Sequence, residues 1–240
     1  MEYLVQPQIE ECLKNMDQEY QEYIWEYFKN APAWVWQAIS VQRVKKNEAF
    51  VREGEKIQSI HMMVKGLVKA TDCRVYGAMY DFMWFRPMKV FGALEVIPKE
   101  EEYKTTLTTN EDCIFWVMPR SVYEQWMEMD SHAFRIEATA TAHGLLKQTR
   151  RERVYLFMQG MDRMAYFLLH YYESFGKEGA CRITLTRQDI SDCTGLSVKT
   201  VNRSIASLEE FGCILKEGSR LIITENEFKE LQNYVSELIV

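Results

Sequence analysis

The chain of 240 residues has no apolar run near the roughly 20 residues a membrane-crossing helix needs. Its longest apolar stretches, "YIWEYFKN" and "AYFLLHYYESFG", are broken by charge, so a soluble protein is expected. The opening "MEYLVQPQIEECLKNMDQEY" is acidic and lacks the basic, then apolar, then small-residue order of an export signal. A cytoplasmic location with no membrane partner is therefore expected. The six cysteines (Cys12, Cys73, Cys113, Cys181, Cys193, Cys213) contain no CxxC pair, and no histidine stands at metal-ligand spacing from them. Zinc and iron–sulfur sites are not expected; reduced, mostly buried thiols are. Histidine is also scarce, with four scattered copies and no acid–base constellation. A Gly-rich phosphate loop, an HExxH pair and a nucleophile elbow are all missing, so the chain does not read as an enzyme.

What is present is 47% apolar residues, enough for a real core, and a formal charge of −6 at pH 7. That balance argues against nonspecific coating of nucleic acid, although it leaves room for a small basic reading surface. From about Val41 to Met118, β-rich runs such as "SIHMMVKGLVKAT" and "DCIFWVM" alternate with turns such as "REGEK", which predicts a β sandwich or barrel. Before it, "DQEYQEYIWEYFKNAP" predicts a helix that stops at Pro32. After Pro119 a proline-free stretch predicts a short helix and then one of six or more turns. Along the longer helix Phe134, Ala138, Thr141, Leu145, Gln148, Glu152 and Tyr155 form a narrow seam at alternating spacings of four and three. The seam predicts a homodimer, with packing on its own barrel as the alternative. The expected boundary lies near Gln159 and Gly160.

"TRQDISDCTGLSVKTVNRSIASLEEFGCI", Thr186 to Ile214, carries the strongest signal. Thr186 caps a first helix with Ile190 and Cys193 inward, Gly195 takes a sharp turn, and Ser197 caps a second helix. On the second helix Leu196, Val201, Ile205 and Leu208 lie inward, while Val198, Lys199, Asn202 and Arg203 share the outer face. Lys and Arg can donate to guanine edges, Asn can pair with adenine, and Val can meet a thymine methyl, so these four are the expected base readers. Thr186, Gln188, Ser197, Thr200 and Lys216 are the expected phosphate contacts. "GCILKEGSRLIITENEF" then predicts a wing of two strands around Gly218, with Lys216 and Arg220 at its tip. A purely structural helical hairpin is the competing reading.

This segment is similar to the "TRQEI…G.S.ETV.R.L..LE…I" pattern of the Crp/Fnr family of bacterial transcription regulators, with Thr186, Arg187, Gln188, Ile190, Gly195, Ser197, Thr200, Val201, Arg203 and Leu208 in place. "FVREGEKIQSIHMMVKGLVKA" resembles the family's sensor signature through Gly54, Glu55, Val64, Lys65 and Gly66. The resemblance implies an α+β chain: a jelly-roll-like β-roll sensor (a double-stranded β-helix of cyclic-nucleotide-binding type) with its N-terminal helix over 1–130, a long dimerisation helix over 131–159, and a winged helix-turn-helix over 160–240. It implies a homodimer on palindromic double-stranded promoter DNA, an effector that shifts the long helices, and RNA polymerase as a candidate partner. Dimer contacts are expected at Phe134, Ala138, Thr141, Leu145, Gln148 and Tyr155.

The departures from the pattern concern the effector. Members that bind cyclic AMP carry a "GEL" turn and an Arg–Ser pair, where this chain has "FGALEV" and "EEYKTTL". Ala93 stands in place of the ribose-binding acid, and Lys104 and Thr105 stand beside Glu100, Glu101 and Glu102. A cyclic phosphate wants a bidentate donor in a neutral or positive pocket, so cyclic AMP is not expected. Only Cys12 lies where the oxygen-sensing branch places its cluster cysteines, and His61 is the single histidine in the β-roll, read as a satisfied packing residue; neither an iron–sulfur cluster nor heme is expected. Gly92, Ala93, Leu94, Lys104, Thr105, Gln148 and Thr149 form the candidate effector pocket. Met62, Met63, Tyr76, Met79, Tyr80, Phe82, Trp84 and Phe85 favour a small apolar or aromatic ligand, whose identity the sequence does not name. A ligand-independent or cysteine-gated regulator of the same fold is the alternative. Lys199 stands where most members place a Glu, so a different half-site is expected.

Overall fold

The computed structural model describes residues 6–73, 79–176, 178–218 and 220–238, without the side chains of 72, 73, 79–83, 151, 152, 155 and 156. Tyr76, and the side chains of Met79, Tyr80, Phe82, Glu152 and Tyr155, thus lie outside the described residues. Contacts divide the chain into two compact units, with one boundary between Asp81 and Phe82 and another inside the long helix between Lys147 and Gln148.

The first unit opens with three helices, α1 (Pro7–Lys14), α2 (Gln18–Tyr27) and α3 (Ala33–Ala38). Pro7 suits a first helical turn, where its missing N–H costs nothing, and Ile9 and Leu13, one turn apart, are both buried. The sequence predicted one helix here, running to Pro32. The chain leaves α2 earlier because Phe28 turns into the core, with ring centroids 4.5 Å from Trp36 and 4.8 Å from Trp126.

Eight strands follow: β1 (Ser40–Val44), β2 (Ala49–Val51), β3 (Ser59–Lys65), β4 (Val68–Cys73), β5 (Met79–Phe85), β6 (Lys89–Phe91), β7 (Thr106–Thr109) and β8 (Cys113–Pro119). They form two four-stranded sheets, ordered β1-β8-β3-β6 and β2-β7-β4-β5. In the first sheet Met62 pairs with Trp116 and Val90, and Ile60 pairs with Met118, all on one face. That face is covered by the N-terminal helices, since Trp116 lies 6.3 Å from both Phe28 and Trp36. On the other face His61 pairs with Phe91 and Val117, and Phe50 of β2 reaches across from the second sheet to within 4.4 Å of the Phe115 ring. With both faces covered, β3 reads as a continuous buried run from Ile60 to Val64 rather than an alternation.

Between β6 and β7 sits a single helical turn, α4 (Ala93–Val96); after β8 come α5 (Arg120–Met129) and α6 (Ser131–Phe157). The break between the last two is set by Asp130. Its carboxylate accepts from Trp126 Nε1 at 3.0 Å and from the His132 and Ala133 backbone N–H groups at 3.1 Å, capping α6 while holding α5. Along α6, Ala133 and Glu137 are buried, whereas Phe134 and Leu145 of the predicted seam are exposed and Ala138, Thr141 and Gln148 half-buried. Glu137 accepts hydroxyl hydrogen bonds from Tyr27 at 3.1 Å and Thr141 at 3.4 Å, and burial pushes its carboxyl above the usual range.

The second unit continues with α7 (Met161–Phe175), β9 (Ala180–Ile183), α8 (Arg187–Thr194), α9 (Val198–Glu210), β10 (Leu215–Glu217), β11 (Arg220–Thr224) and α10 (Glu225–Leu238). Its sheet runs β10-β11-β9, so the predicted two-stranded wing gains a third strand, "ACRI". Met164, Phe167, Leu168, Ile190, Val201, Leu208, Ile223 and Leu231 form its core. Tyr234 of α10 donates to Asp162 of α7 at 2.6 Å.

Gly66, in the turn between β3 and β4, has φ +108°, and a Cβ there would lie 2.4 Å from Cys113 Sγ and 2.9 Å from Cys113 Cα. Gly54 has φ +80° but an open surrounding. Gly54→Ala is expected to cost the left-handed strain alone, about 1–2 kcal/mol. Gly66→Ala adds a backbone clash and is expected to cost at least about twice as much; equal denaturant midpoints for the two variants would contradict this.

Candidate nucleic-acid interface and effector pocket

The helix-turn-helix is built from two caps and one turn. Thr186 Oγ1 accepts from Asp189 N at 3.1 Å while Asp189 Oδ2 accepts from Thr186 N at 2.8 Å, a reciprocal box that starts α8. At the other end Gly195 adopts φ +67°, ψ 16°, the left-handed conformation that a residue without Cβ takes without strain. Ser191 Oγ donates across the turn to Leu196 O at 2.5 Å, and Thr194 Oγ1 donates back to Ile190 O at 2.7 Å. Ser197 then accepts from Thr200 N at 3.2 Å and begins α9.

Val201, Ser204, Ile205 and Leu208 are the buried stripe of α9. Lys199, Asn202 and Arg203 are exposed and Val198 is half-buried, so the four predicted base readers share the outward side of one helix. Among the predicted phosphate contacts, Thr186, Ser197 and Thr200 engage their hydroxyls in the caps, Gln188 Nε2 donates to Asp192 at 2.8 Å, and Lys216 is exposed on β10. Gly218 turns the wing with φ +63°, next to exposed Arg220.

In the sensor unit, Gly92 has φ +94°, and a Cβ there would lie 2.7 Å from Ile60 Cδ1. Ala93 is fully buried, whereas Leu94 is 44% exposed. Glu95, which the sequence pattern does not single out, is buried and accepts from Lys104 N at 3.4 Å. Burial raises its carboxyl pKa, against the lowering pull of that backbone bond and of Lys89 and Lys104. Lys104 Nζ is held by Glu100 at 2.6 Å on the surface, and Thr105 donates to Thr71 O at 3.1 Å. Lys89 Nζ stands 5.8 Å from the Phe85 ring centroid, and its charge also acts on Glu95 and Glu137. Gln148 and Thr149 belong to the part of α6 in the second unit, half-buried and exposed respectively.

His61 is packed as expected, between Phe50 at 5.5 Å and Phe115 at 6.2 Å, but it is not satisfied: Nδ1 has no hydrogen-bond partner among the described residues. Burial pushes its pKa down to about 4. Cys113, Cys181, Cys193 and Cys213 are buried and Cys12 half-buried, and burial raises the thiol pKa of Cys113 and Cys213. No group of three or more His, Cys, Asp or Glu side chains suited to a metal occurs among the described residues, and no helix among them is long and apolar enough to cross a membrane.

An imidazole whose pKa falls on folding contributes stability that is complete above its unfolded value near 6.5 and is lost as the pH drops toward 4. The loss is on the order of 3 kcal/mol at full protonation. His61→Phe removes the titrating group, so the stability difference between wild type and variant is expected to shift in favour of the variant from pH 7 to pH 4. A difference independent of pH, by urea unfolding, would contradict the assignment.

Comparison with known proteins agrees with both units. The cyclic nucleotide-binding domain model matches residues 41–130, and the Crp-like helix-turn-helix domain model matches residues 162–234. A CRP-like cAMP-activated global transcriptional regulator of Mycobacterium tuberculosis is 26% identical over 184 residues, covering 73% of this chain and 80% of its own. The nitrogen fixation regulation protein FixK of Azorhizobium caulinodans is 25% identical over 203 residues, covering 80% of this chain and 78% of its own. The structure of FixK2 from Bradyrhizobium japonicum superposes with a TM-score of 0.70 at 23% identity, over 82% of this chain and 96% of that one, and so shares the fold. With a sensor sheet pair, a capped helix-turn-helix and a wing in this order, the chain belongs to the Crp/Fnr family of DNA-binding transcription regulators.

Proposed function

We propose that the protein acts in the cytoplasm as a homodimer on a palindromic promoter site and responds to a small effector other than cyclic AMP. The observation that carries the reading is the outward side of α9, where Lys199, Asn202 and Arg203 stand exposed beside Val198 on a helix whose start is fixed by the Ser197 cap. Their donors suit guanine and adenine edges in the major groove. Lys199 cannot accept from cytosine, so its half-site differs from that of members with Glu at this position.

Dimerisation is supported by the exposed seam residues Phe134 and Leu145, which leave apolar surface on α6 for a second copy. The effector reading is supported by the corner around α4. Lys104 is tied to Glu100, Lys89 lies over the Phe85 ring, and Glu95 adds a buried acid, so neither of these two lysines is disposed to take a phosphate in a fork. The inner face of the roll instead presents Phe50, Phe91, Phe115 and neutral His61, which suits an uncharged apolar or aromatic molecule. Buried Cys113, Cys181, Cys193 and Cys213 weigh against gating by oxidation. RNA polymerase is the downstream partner such a regulator would engage.

Selection from random duplexes, followed by footprinting on the gene's own upstream region, tests the reading. A two-fold symmetric site is expected, and Arg203→Ala is expected to weaken it about 10- to 100-fold, the worth of a bidentate base contact. Unchanged affinity and unchanged base preference in that variant would overturn the assignment. In thermal melting, uncharged aromatic compounds are expected to raise the midpoint more than cyclic AMP does; the reverse order would overturn the effector class.

A further inference from the structure

Arg163 occupies an awkward place for a cation. It is the third residue of α7, which begins at Met161 after Gly160, and a positive charge in a first turn opposes the helix dipole. The half-buried side chain instead reaches two other helix ends. Nε donates to Met158 O at 3.1 Å, just past the last residue of α6, and Nη1 donates to Thr194 O at 3.2 Å, the last residue of α8. Both acceptors are carbonyls at helix C-termini, where partners within the helix run out and the dipole is negative. One guanidinium therefore ties the end of the long helix to the end of the first helix of the reading motif.

Between α6 and α7 the chain has a single pivot. Gly160 joins α6 to α7 with φ +53°, has no side chain, and nothing would lie within 4 Å of a Cβ placed there. At the far end the guanidinium lies beside the turn itself, 3.6 Å from where a Cβ of Gly195 would stand. A planar fork fixes two acceptors in direction as well as distance, which a lysine ammonium does not.

We infer that Arg163 is a positioning residue that sets the angle of the helix-turn-helix against the C-terminal end of α6, and so the half-site spacing that a dimer accepts. This rests on the proposed dimeric reading of a symmetric site. The test uses the full-length protein and the selected palindrome with its half-sites moved apart or together by single base pairs, with affinities measured beside a nonspecific duplex for wild type, Arg163→Lys and Arg163→Met. Wild type is expected to prefer one spacing by about tenfold or more, while both variants keep nonspecific affinity and accept neighbouring spacings within about threefold, with Lys intermediate. Two results overturn the inference: variants that keep the wild-type spacing preference, or both variants failing to fold, which would make Arg163 a structural clamp only. A wild type without any spacing preference would instead overturn the dimeric reading.

Discussion

The turn at Gly195 is the constraint on which the proposed reading surface depends. Two helices can cross steeply there only because the backbone takes a left-handed conformation, and that conformation is held from both sides. The reciprocal Thr186–Asp189 bonds fix the start of α8, the Ser191 and Thr194 hydroxyls tie down its end, and Ser197 fixes the start of α9. With register and direction set, Val201, Ile205 and Leu208 go into the core, which leaves Lys199, Asn202 and Arg203 on the opposite side. A chain with a formal charge of −6 can thus present a compact basic and amide surface.

The sensor follows a different physical logic. Its two sheets are closed by N-terminal helices on one face and by aromatic rings within, and burial moves three interior groups toward their neutral forms: the His61 pKa falls to about 4, and the Glu95 and Glu137 carboxyls are raised above the usual range. Such an interior is consistent with the proposed uncharged effector. The orphaned Nδ1 of His61 carries a desolvation cost with no compensating bond in the described structure.

Legibility in the sequence followed the range of the interactions involved. Thr186, Gly195 and Ser197 could be placed from sequence because caps and turns depend on residues a few positions apart. The β-rich block and the long helix were visible as patterns of residue type. The early end of α2 was not, since it is imposed by Phe28 meeting Trp36 and Trp126 from distant segments. The strand "ACRI" escaped for the same reason, being a strand only because β11 pairs with it. Glu95 and Arg163 were hidden differently: each has an ordinary sequence context, and its role comes from partners at Lys104, Met158 and Thr194.

The central claim is that the outward side of α9 reads bases, and a change of specificity at Lys199 tests it most directly. Lysine donates to the O6 and N7 of guanine, whereas glutamate accepts from the N4 of cytosine. Random-duplex selection with Lys199→Glu is predicted to return the same palindrome with one base pair exchanged symmetrically in both half-sites. Recovery of the unchanged sequence, only with weaker binding, would contradict the account.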